Sequence, residues 1–299
     1  MAGPKLKGVP VIASLSIPVI VAAEALRAKI QDWRARGLKV ALVPTMGALH
    51  EGHLTLVRRG LEQADRVVVS IFVNPTQFAP NEDFDAYPRR LDDDVALLSQ
   101  AGASLVHAPT AETMYPEGFA TRITVGGVSE GLCGVSRPGH FAGVATVVAK
   151  LLLRVLPDVA LFGEKDYQQL QVIRRLAQDL DIPVRIQGVA TVREADGLAL
   201  SSRNAYLSAA ERAAAPALFR ILSTMAENMA RGSDIAGQEE WGRRQIQAAG
   251  FGPIDYLETR HPDSLARLER LDGPGRILAA AHLGRTRLID NVPVPSLNG

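Results

Sequence analysis

A continuous β-branched run, Val67 to Val73, most constrains how this chain can fold. Its residues (VVVSIFV) are apolar on both faces, which is typical of a central strand in a parallel sheet. Another apolar run, Lys39 to Val43, precedes it, and Leu54 to Leu61 between them has helical spacing. Because parallel neighbouring strands need a crossover connection, the sequence predicts a strand–helix–strand unit in an α/β fold.

The same reading extends along the chain. Helical spacing predicts helices over Glu24 to Arg34, Leu91 to Gln100 and the very apolar Phe141 to Leu156, which is expected to be buried against the sheet or in a subunit contact. Further predicted strands are Ile17 to Val21, Ser104 to Ala108, Thr121 to Val125 (an edge strand), Asp158 to Phe162 and Val184 to Val189. A polar loop is predicted over Asn81 to Arg90.

The composition changes near Thr191, after which helices are followed by the short predicted strands Ile254 to Arg260, Arg276 to Ala281 and Thr286 to Asp290. Segregated helices and strands are typical of an α+β unit. We therefore expect two domains: residues 1–190, with a parallel sheet, and residues 191–299, a smaller C-terminal α+β lid domain.

Charge and cysteine content exclude several classes of function. The 33 basic and 32 acidic residues are well mixed and give a net charge of +1, so no surface for nucleic acid is expected. The single cysteine, Cys133, excludes an intrachain disulfide and fits a reducing compartment such as the cytoplasm. No run predicts a membrane-spanning helix. Val9 to Ala23, which follows Lys5 and Lys7, resembles a weak secretory signal, but a strand feeding a helix is the favoured interpretation.

Two imidazoles lie where the first strand gives way to a helix, in PTMGALHEGH at residues 44–53. Pro44 and Gly47 are predicted to end the strand. The start of a helix offers unpaired N–H groups and the positive end of its dipole, which together bind anions. His50 and His53 are three residues apart, so they can face one oxyanion. Surface decoration or half of a zinc site, which would need further ligands, are the alternatives.

Two later stretches also suit phosphate. Lys165, in GEKDYQQ after the strand Asp158 to Phe162, opposes the helix dipole unless an anion is bound there. The long polar connection Thr191 to Asn204 contains Ser201, Ser202 and Arg203, whose donors suit a polyphosphate. A capping box formed by Ser208 and Glu211 explains Ser208 but not those three residues.

Two further groups of polar residues are weaker candidates for binding a ligand. One follows a predicted strand and the other begins a predicted helix. Asn74 and Gln77 follow the strand Val67 to Val73, so they can orient a substrate or form a plain turn. Asp92, Asp93 and Asp94 can hold Mg²⁺ or simply complement a helix N-terminus, and the second interpretation is favoured.

Four separated motifs, PTMGALHEGH at 44–53, FVNPTQF at 72–78, GEKDYQQL at 163–170 and LSSRN at 200–204, together resemble the pantothenate synthetase family. YPRR at 87–90, RPGHFAGVATVVAKL at 137–151 and RLIDN at 287–291 are also similar to that family. The resemblance covers nearly the whole chain from about Ile17. Only the first residues and the loop around Cys133 depart from the pattern.

The resemblance implies a Rossmann-like nucleotidyltransferase fold and a cytoplasmic homodimer that uses ATP and Mg²⁺. It implies that (R)-pantoate is activated as an acyl adenylate with release of pyrophosphate, and that β-alanine then displaces AMP to give pantothenate. By resemblance, His53 is the proton donor, and His50, Lys165 and Arg203 complete the catalytic set. Gln77 and Gln169 are the substrate ligands that the resemblance implies, and Asn74 joins them as a candidate because it follows the strand Val67 to Val73. The implied ATP-binding residues are Met46, Gly47, Ala48, Leu49, His50, Glu51, Gly52, His53, Gly163, Glu164, Lys165, Asp166, Val192, Leu200, Ser201, Ser202 and Arg203.

Three rival functions remain open on the sequence. One is a nucleotidyltransferase that passes its nucleotidyl group to a phosphorylated acceptor, which would need a basic acceptor pocket in place of the neutral amides of Gln77 and Gln169. The others are a nucleotide-binding sensor without turnover and a structural zinc protein.

Overall fold

A sheet of six parallel strands forms the centre of the molecule. The computed structural model describes residues 17–79 and 84–296. The strands are β1 (Val19–Ile20), β2 (Val40–Thr45), β3 (Arg66–Ile71), β4 (Leu105–His107), β5 (Val159–Gly163) and β6 (Arg185–Val189). Their order is β1-β4-β3-β2-β5-β6, and every neighbouring pair is parallel. From β2 the chain adds β3 and β4 on one side, whereas β5 and β6 lie on the other side. The direction of strand order therefore reverses between the neighbours β2 and β5.

Helices cover both faces of this sheet. They are α1 (Ala23–Ala35), α2 (Glu51–Leu61), α3 (Leu91–Gln100), the short α4 (Ala111–Met114) and α5 (Cys133–Ser136), α6 (His140–Val155) and α7 (Tyr167–Asp179). Short 3₁₀ helices occupy Pro75–Gln77, Glu164–Asp166 and Ser202–Tyr206. Nearly every side chain of α6 is buried, in agreement with the prediction that this apolar helix packs on the sheet.

The alternation of side chains along β2 shows why its sequence is apolar throughout. Val40 and Leu42 pack into the core under α1, α6 and α7. Ala41 and Val43 point the other way and join the core under α2 and α3. A strand buried on both faces cannot alternate polar with apolar residues, so the predicted α/β fold with a parallel sheet is confirmed.

The C-terminal part of the chain has a core of its own. Helices α8 (Ala209–Ala214), α9 (Ala217–Ala230) and α10 (Ile235–Ala248) pack on the antiparallel strands β7 (Ile254–Arg260), β8 (Gly275–Leu283) and β9 (Thr286–Val294). Ser208 and Glu211 form the predicted capping box of α8. Tyr256 and Leu278 reach into the core of the main sheet, so the smaller unit is packed against the larger.

Pro44 does not end β2 as predicted but lies inside it. The Phe72 N–H donates to the carbonyl of Thr45 over 3.1 Å, so Thr45 faces β3 and Pro44 faces β5. In the described chain β5 pairs with β2 only at Ala41 and Leu42. The missing N–H of proline therefore removes no ladder hydrogen bond.

The predicted edge strand Thr121 to Val125 is wrong, since this segment is irregular. The Ile123 N–H donates to the hydroxyl of Thr146 on α6 over 3.0 Å instead of pairing with a strand. Alternating side chains indicate only that one face is buried, and here a helix provides the buried surface.

Parts of two predictions lie outside the described residues, namely the possible signal segment before Ile17 and residues 81–83 of the Asn81 to Arg90 loop. Over the ranges 17–79 and 84–296, no helix is long and apolar enough to cross a bilayer.

Candidate active site

A cleft of about 840 Å³ opens where β2 and β5 end. These strands are neighbours at the reversal of strand order, and open α/β sheets bind ligands outside the carboxyl ends of strands at such a point. His50 and His53 enter the cleft from the segment after β2, and Lys165 enters it from the segment after β5. Residues 198–204 form part of the wall from the C-terminal side.

The turn before the histidines depends on two left-handed residues and one carboxylate. Gly47 has φ +84° and Ala48 has φ +51°. The buried carboxylate of Asp94 accepts the N–H groups of Ala48 and Leu49, each over 2.9 Å. A Cβ on Gly47 would lie 2.9 Å from an oxygen of Asp94, so glycine permits this close approach. Asp94 therefore fixes the turn to α3.

The position of Asp94 bears on the metal interpretations. Both of its oxygens accept backbone hydrogen bonds, and Asp92 and Asp93 lie in the first turn of α3, where acidic side chains complement the helix dipole. The described residues contain no group of three or more His, Cys, Asp or Glu placed to hold a metal ion. Neither a zinc site at the histidines nor a Mg²⁺ cage at Asp92 to Asp94 is supported by this geometry.

His50 and His53 form the N-terminal cap of α2. Nδ1 of His50 accepts the Gly52 N–H over 3.1 Å, and Nδ1 of His53 accepts the His50 N–H over 3.3 Å. A ring nitrogen that accepts a hydrogen bond carries no proton, so each neutral ring carries its hydrogen on Nε2. The ring centroids are 4.1 Å apart. Helix capping thus explains part of this motif, and it leaves both Nε2–H groups as donors for a ligand.

Both rings are neutral at pH 7. Burial and the nearby positive charge of Lys165 lower the pKa of His50 to about 4. Burial, the neighbouring ring of His50 and the charge of Lys165 lower the pKa of His53 to about 3. A neutral imidazole with a fixed tautomer is a hydrogen-bond donor rather than a source of protons.

Lys165 lies in the 3₁₀ helix that follows β5. The residue is half-buried and lines the cleft, and burial lowers the pKa of its ammonium group. The amide of Asn291 donates to the carbonyls of Glu164 (2.9 Å) and Lys165 (3.0 Å). Arg276 donates to the Glu164 carboxylate over 3.1 Å and stacks 3.7 Å from the ring of Tyr167. Residues of the C-terminal sheet therefore hold the turn that carries Lys165.

The segment Thr191 to Asn204 is more regular than a long polar connection. Arg193 and Ala199 form an antiparallel bridge, and the Leu200 N–H donates to the Val192 carbonyl over 3.0 Å. Arg193 also forms a buried, two-pronged ion pair with Asp290 of β9, with distances of 2.6 and 2.8 Å. The segment is a short hairpin tied to the C-terminal sheet.

Ser201, Ser202 and Arg203 follow the second strand of this hairpin and line the cleft. Ser201 caps the 3₁₀ helix Ser202–Tyr206 by accepting the Arg203 N–H over 3.2 Å. The Ser202 hydroxyl lies 3.4 Å from that of Tyr87, and the Arg203 guanidinium lies 6.0 Å from the Tyr87 ring. The charge of Arg203 contributes to the lowered pKa of Lys165, so the two cations share one region.

Asn74 is buried beneath Gln77 and its amide is engaged by protein. Its Nδ2 donates to the Gln77 side-chain oxygen and to the Gly143 carbonyl, each over 3.2 Å. Its Oδ1 accepts from Thr76 and from the Tyr115 hydroxyl at 2.8 Å. With both N–H groups used, Asn74 orients Gln77 instead of offering its own amide to a substrate.

Gln77 is also held through its backbone. Nδ1–H of His140 donates to the Gln77 carbonyl over 2.8 Å, and Nε2 of His140 accepts from Arg137 over 3.0 Å. A Cβ on Gly143 of α6 would overlap the Thr76 carbonyl oxygen, so only glycine allows this contact. The motif at 137–151 therefore supports Gln77, a role that sequence reasoning missed because the residues lie at least 60 positions away.

The cleft brings together most of the predicted site residues. Five predicted nucleotide ligands are not among its lining residues in the described chain: Gly47, Ala48, Leu49, Glu51 and Glu164. Glu51 is an exposed ion-pair partner of Arg58, and Glu164 pairs with Arg276. The predicted residues that line the cleft are Met46, His50, Gly52, His53, Asn74, Gln77, Gly163, Lys165, Asp166, Gln169, Val192, Leu200, Ser201, Ser202 and Arg203.

This arrangement can bind a polyphosphate and a small polar acid side by side. Two cations and two hydroxyls meet two neutral imidazole donors, and the amides of Gln77 and Gln169 lie in the same cleft. Fixed donors of this kind stabilise charge that develops on a phosphoryl group.

Comparison with known proteins agrees with this chemistry. A family model described as pantoate-beta-alanine ligase matches residues 18–293. The pantothenate synthetase of Paramagnetospirillum magneticum is 61% identical over 281 residues, which are 94% of this chain and 99% of that protein. The pantothenate synthetase of Rhodospirillum rubrum is 58% identical, with 93% of this chain and 99% of that protein covered.

Solved structures give the same result. The crystal structure of pantothenate synthetase from Thermus thermophilus is similar with a TM-score of 0.87 and 48% identity, covering 93% of this chain and all of that chain. The pantoate-beta-alanine ligase from Francisella tularensis, complexed with beta-gamma ATP and beta-alanine, is similar with a TM-score of 0.78 and 34% identity. That match covers 92% of this chain and 97% of the Francisella chain.

Proposed function

The chain belongs to the pantoate-beta-alanine ligase family, and on that premise we propose how its cleft carries out the reaction. The enzyme condenses (R)-pantoate with β-alanine at the expense of ATP to give pantothenate, AMP and pyrophosphate. One observation supports the roles that we assign to the site residues. One cleft, where strand order reverses between β2 and β5, is lined by His50, His53, Lys165 and Arg203.

In the first step the pantoate carboxylate attacks the α-phosphorus of ATP, and the bond to the β-phosphate oxygen breaks. Negative charge builds on the phosphoryl oxygens in this transition state. The Nε2–H groups of His50 and His53 donate to those oxygens. Since both rings are neutral, His53 acts as a hydrogen-bond donor rather than as the proton donor that the resemblance implies.

Lys165 and Arg203 neutralise the β- and γ-phosphates, which leave as pyrophosphate. The hydroxyls of Ser201 and Ser202 add neutral donors from the segment that follows the hairpin. Met46, Gly52, Gly163, Asp166, Val192 and Leu200 line the rest of the nucleotide site. Gly47, Ala48 and Leu49 shape the turn that carries the histidines, and Glu164 anchors the turn that carries Lys165.

Gln77 and Gln169 bind pantoate, because amides can pair with its hydroxyls and carboxylate without adding charge. Asn74 holds Gln77 in orientation. In the second step the β-alanine amine attacks the acyl carbon of the adenylate, AMP leaves and the amine loses a proton. The Francisella relative, whose structure contains β-alanine, supports an amine site in this cleft.

Mg²⁺ belongs to this proposal as an ion that arrives with ATP. Mg²⁺ in such sites is commonly held by substrate phosphates and water with few protein ligands. The described residues hold no group of three or more metal-ligating side chains, so the chain itself contributes cations and hydrogen-bond donors to the phosphates.

Three further features are proposed. Residues 191–299 act as a lid over the site formed by residues 1–190, supported by the contacts of Arg193, Arg276 and Asn291 across the two parts.

The enzyme is a homodimer, for which the exposed Leu153 and Leu156 at the end of α6 supply apolar contact surface. The cytoplasm is its compartment, supported by a single free cysteine.

Isotope exchange tests the first step directly. Enzyme, ATP and labelled pyrophosphate are incubated with pantoate, without pantoate, or with the neutral amide of pantoate. We expect label to enter ATP only with pantoate, since only a carboxylate can form the adenylate. Exchange without pantoate, or no exchange with it, contradicts the proposal.

A further inference from the structure

The turn that carries Lys165 is held by residues from outside the parallel sheet, and we propose that Asn291, together with Arg276, positions the Lys165 ammonium group for ATP. The inference rests on the proposed function, in which Lys165 binds the departing phosphates. Asn291 lies on β9, 126 positions further along the chain than Lys165.

The amide of Asn291 is completely engaged. Its Nδ2 donates to two consecutive carbonyls, Glu164 at 2.9 Å and Lys165 at 3.0 Å, and its Oδ1 accepts from Nε of Arg276 at 2.7 Å. Asn291 is 3% exposed. An amide with both hydrogens used has none left for a substrate, so its contribution is made through the backbone that it holds.

Arg276 fixes the orientation of Asn291. Its guanidinium stacks 3.7 Å from the Tyr167 ring and donates to the Glu164 carboxylate over 3.1 Å. The side chain is only 11% exposed, so solvent screens this ion pair weakly. Asn291 of β9 and Arg276 of β8 are here called the C-terminal clamp. Together they bind the backbone of Glu164 and Lys165 and the side chain of Glu164, in the turn before α7.

The turn has little local support of its own. It is a single 3₁₀ turn, Glu164–Asp166, and no side chain of the described residues caps it at Gly163. The hydrogen bonds of 3₁₀ turns have poorer geometry than those of α-helices. A misplacement of about 1 Å at a catalytic group can cost up to about a hundredfold in rate. The C-terminal clamp therefore determines where the Lys165 charge lies relative to the phosphates.

The test separates the two half-reactions. Asn291→Asp keeps the shape of the side chain and its acceptor for Arg276 but removes both N–H donors. We expect the adenylation rate to fall about tenfold to a hundredfold and the KM for ATP to rise. Enzyme already charged with pantoyl adenylate, with pyrophosphate removed by pyrophosphatase, is then mixed with β-alanine. That second step is expected to run at the rate of the unmodified enzyme, since no phosphate remains for Lys165 to bind.

A double-mutant cycle links the effect to Lys165. Lys165→Met is expected to slow adenylation about a hundredfold, and adding Asn291→Asp to it is expected to change the rate less than twofold. Asn228→Asp is the matched control, because Asn228 donates to Gln238 between α9 and α10, away from the turn. It is expected to leave both half-reactions unchanged.

The outcomes distinguish this inference from the proposed function. Equal slowing of both half-reactions by Asn291→Asp, or losses that multiply with those of Lys165→Met, would overturn the positioning role. If Lys165→Met leaves adenylation unchanged, the assigned role of Lys165 fails instead. If thermal unfolding shows that Asn291→Asp does not fold, Arg276→Lys is measured in its place, since a lysine cannot bridge Asn291 and Glu164 while stacking on Tyr167. Slowing of adenylation alone by Arg276→Lys supports the proposal. Equal slowing of both half-reactions overturns it.

Discussion

The two turns at the reversal of strand order reach the same cleft by different means. The turn after β2 is held mainly by its own motif, since His50 and His53 cap α2 and accept N–H groups from residues 50 and 52. The turn after β5 is held by Asn291 of β9 and Arg276 of β8, in the C-terminal sheet.

This difference shows that a catalytic group can be positioned locally or from a distance within a single site. The histidine turn has a long-range support in the carboxylate of Asp94. The lysine turn depends on β8 and β9, which belong to a sheet separate from the parallel one. We therefore expect damage to the histidine turn to come from changes near residue 50 or at Asp94, and damage to the lysine turn from changes more than a hundred residues away.

The largest expected effect is that of His53→Ala. It removes one donor to the α-phosphoryl group, and a donor of this kind contributes about 3 kcal/mol, so exchange of pyrophosphate should slow by about a hundredfold or more. ATP binding, measured by calorimetry, should be retained, because Lys165 and Arg203 still bind its other phosphates. Full exchange activity in His53→Ala would show that the histidine turn has no part in the chemistry.

Asp94→Asn tests the support that α3 gives to the histidine turn. The amide can offer only one acceptor to the Ala48 and Leu49 N–H groups, and leaving a buried N–H unpaired costs about 1–3 kcal/mol. Urea unfolding should show a loss of that size, and pyrophosphate exchange should fall. Asp92→Asn is the control, since Asp92 lies in the exposed first turn of α3. Equal effects of the two substitutions would contradict the support role.

The pH dependence of stability compares buried histidines inside and outside the site. Burial lowers the pKa of His53 to about 3 and that of His107 to about 4, both below the ordinary value of 6.5. The unfolded chain therefore binds more protons below pH 6.5, and the free energy of unfolding should fall as pH falls toward these values. Each ring contributes at most about 1.4 kcal/mol per pH unit.

Urea titrations at pH 7, 6 and 5 measure this dependence. His107 donates from Nδ1 to the Ile20 carbonyl and accepts from Arg154 at Nε2, far from the cleft lining. His107→Gln should flatten the pH dependence and leave pyrophosphate exchange unchanged. Stability that rises on acidification from pH 7 to 5 would show that these rings are charged in the folded protein.

The smallest expected effect lies within the histidine motif itself. Glu51 is exposed and pairs with Arg58, and such surface pairs contribute less than about 1 kcal/mol. Glu51→Gln should therefore leave the KM for ATP and the exchange rate within a factor of two. A large rise in the KM would place Glu51 among the nucleotide ligands and restore the expectation drawn from the sequence.

The sequence was sufficient for the parts of the fold that depend on local chemistry. Apolar runs such as Val67 to Val73 can be satisfied only between two helical layers, so the parallel sheet followed from them. The capping box of Ser208 and Glu211 was predictable for the same reason, since a cap is made by residues three apart. The histidine turn belongs to this class, because its spacing alone places both rings at one helix start.

Pairings between distant segments were not readable from the sequence. The sequence predicts a helix-end acid or a metal ligand at Asp94, and only the packing of α3 beside the histidine turn shows that it accepts two backbone N–H groups. The sequence allows a substrate ligand or a turn residue at Asn74, and only the approach of α6 at Gly143 shows that its amide is occupied. A polar side chain carries no sign of its partner until the backbone brings that partner within hydrogen-bond distance.

The sequence by itself determined the class of fold, the two strand-to-helix turns and the candidate groups for binding phosphate. The tertiary structure decided which strands are neighbours, and hence that the turns after β2 and β5 share one cleft, as well as which distant residues hold Lys165 and Gln77 in place. The physical reason is that periodicity and capping act over a few residues, whereas the order of strands and the burial of polar partners arise only when the whole chain packs.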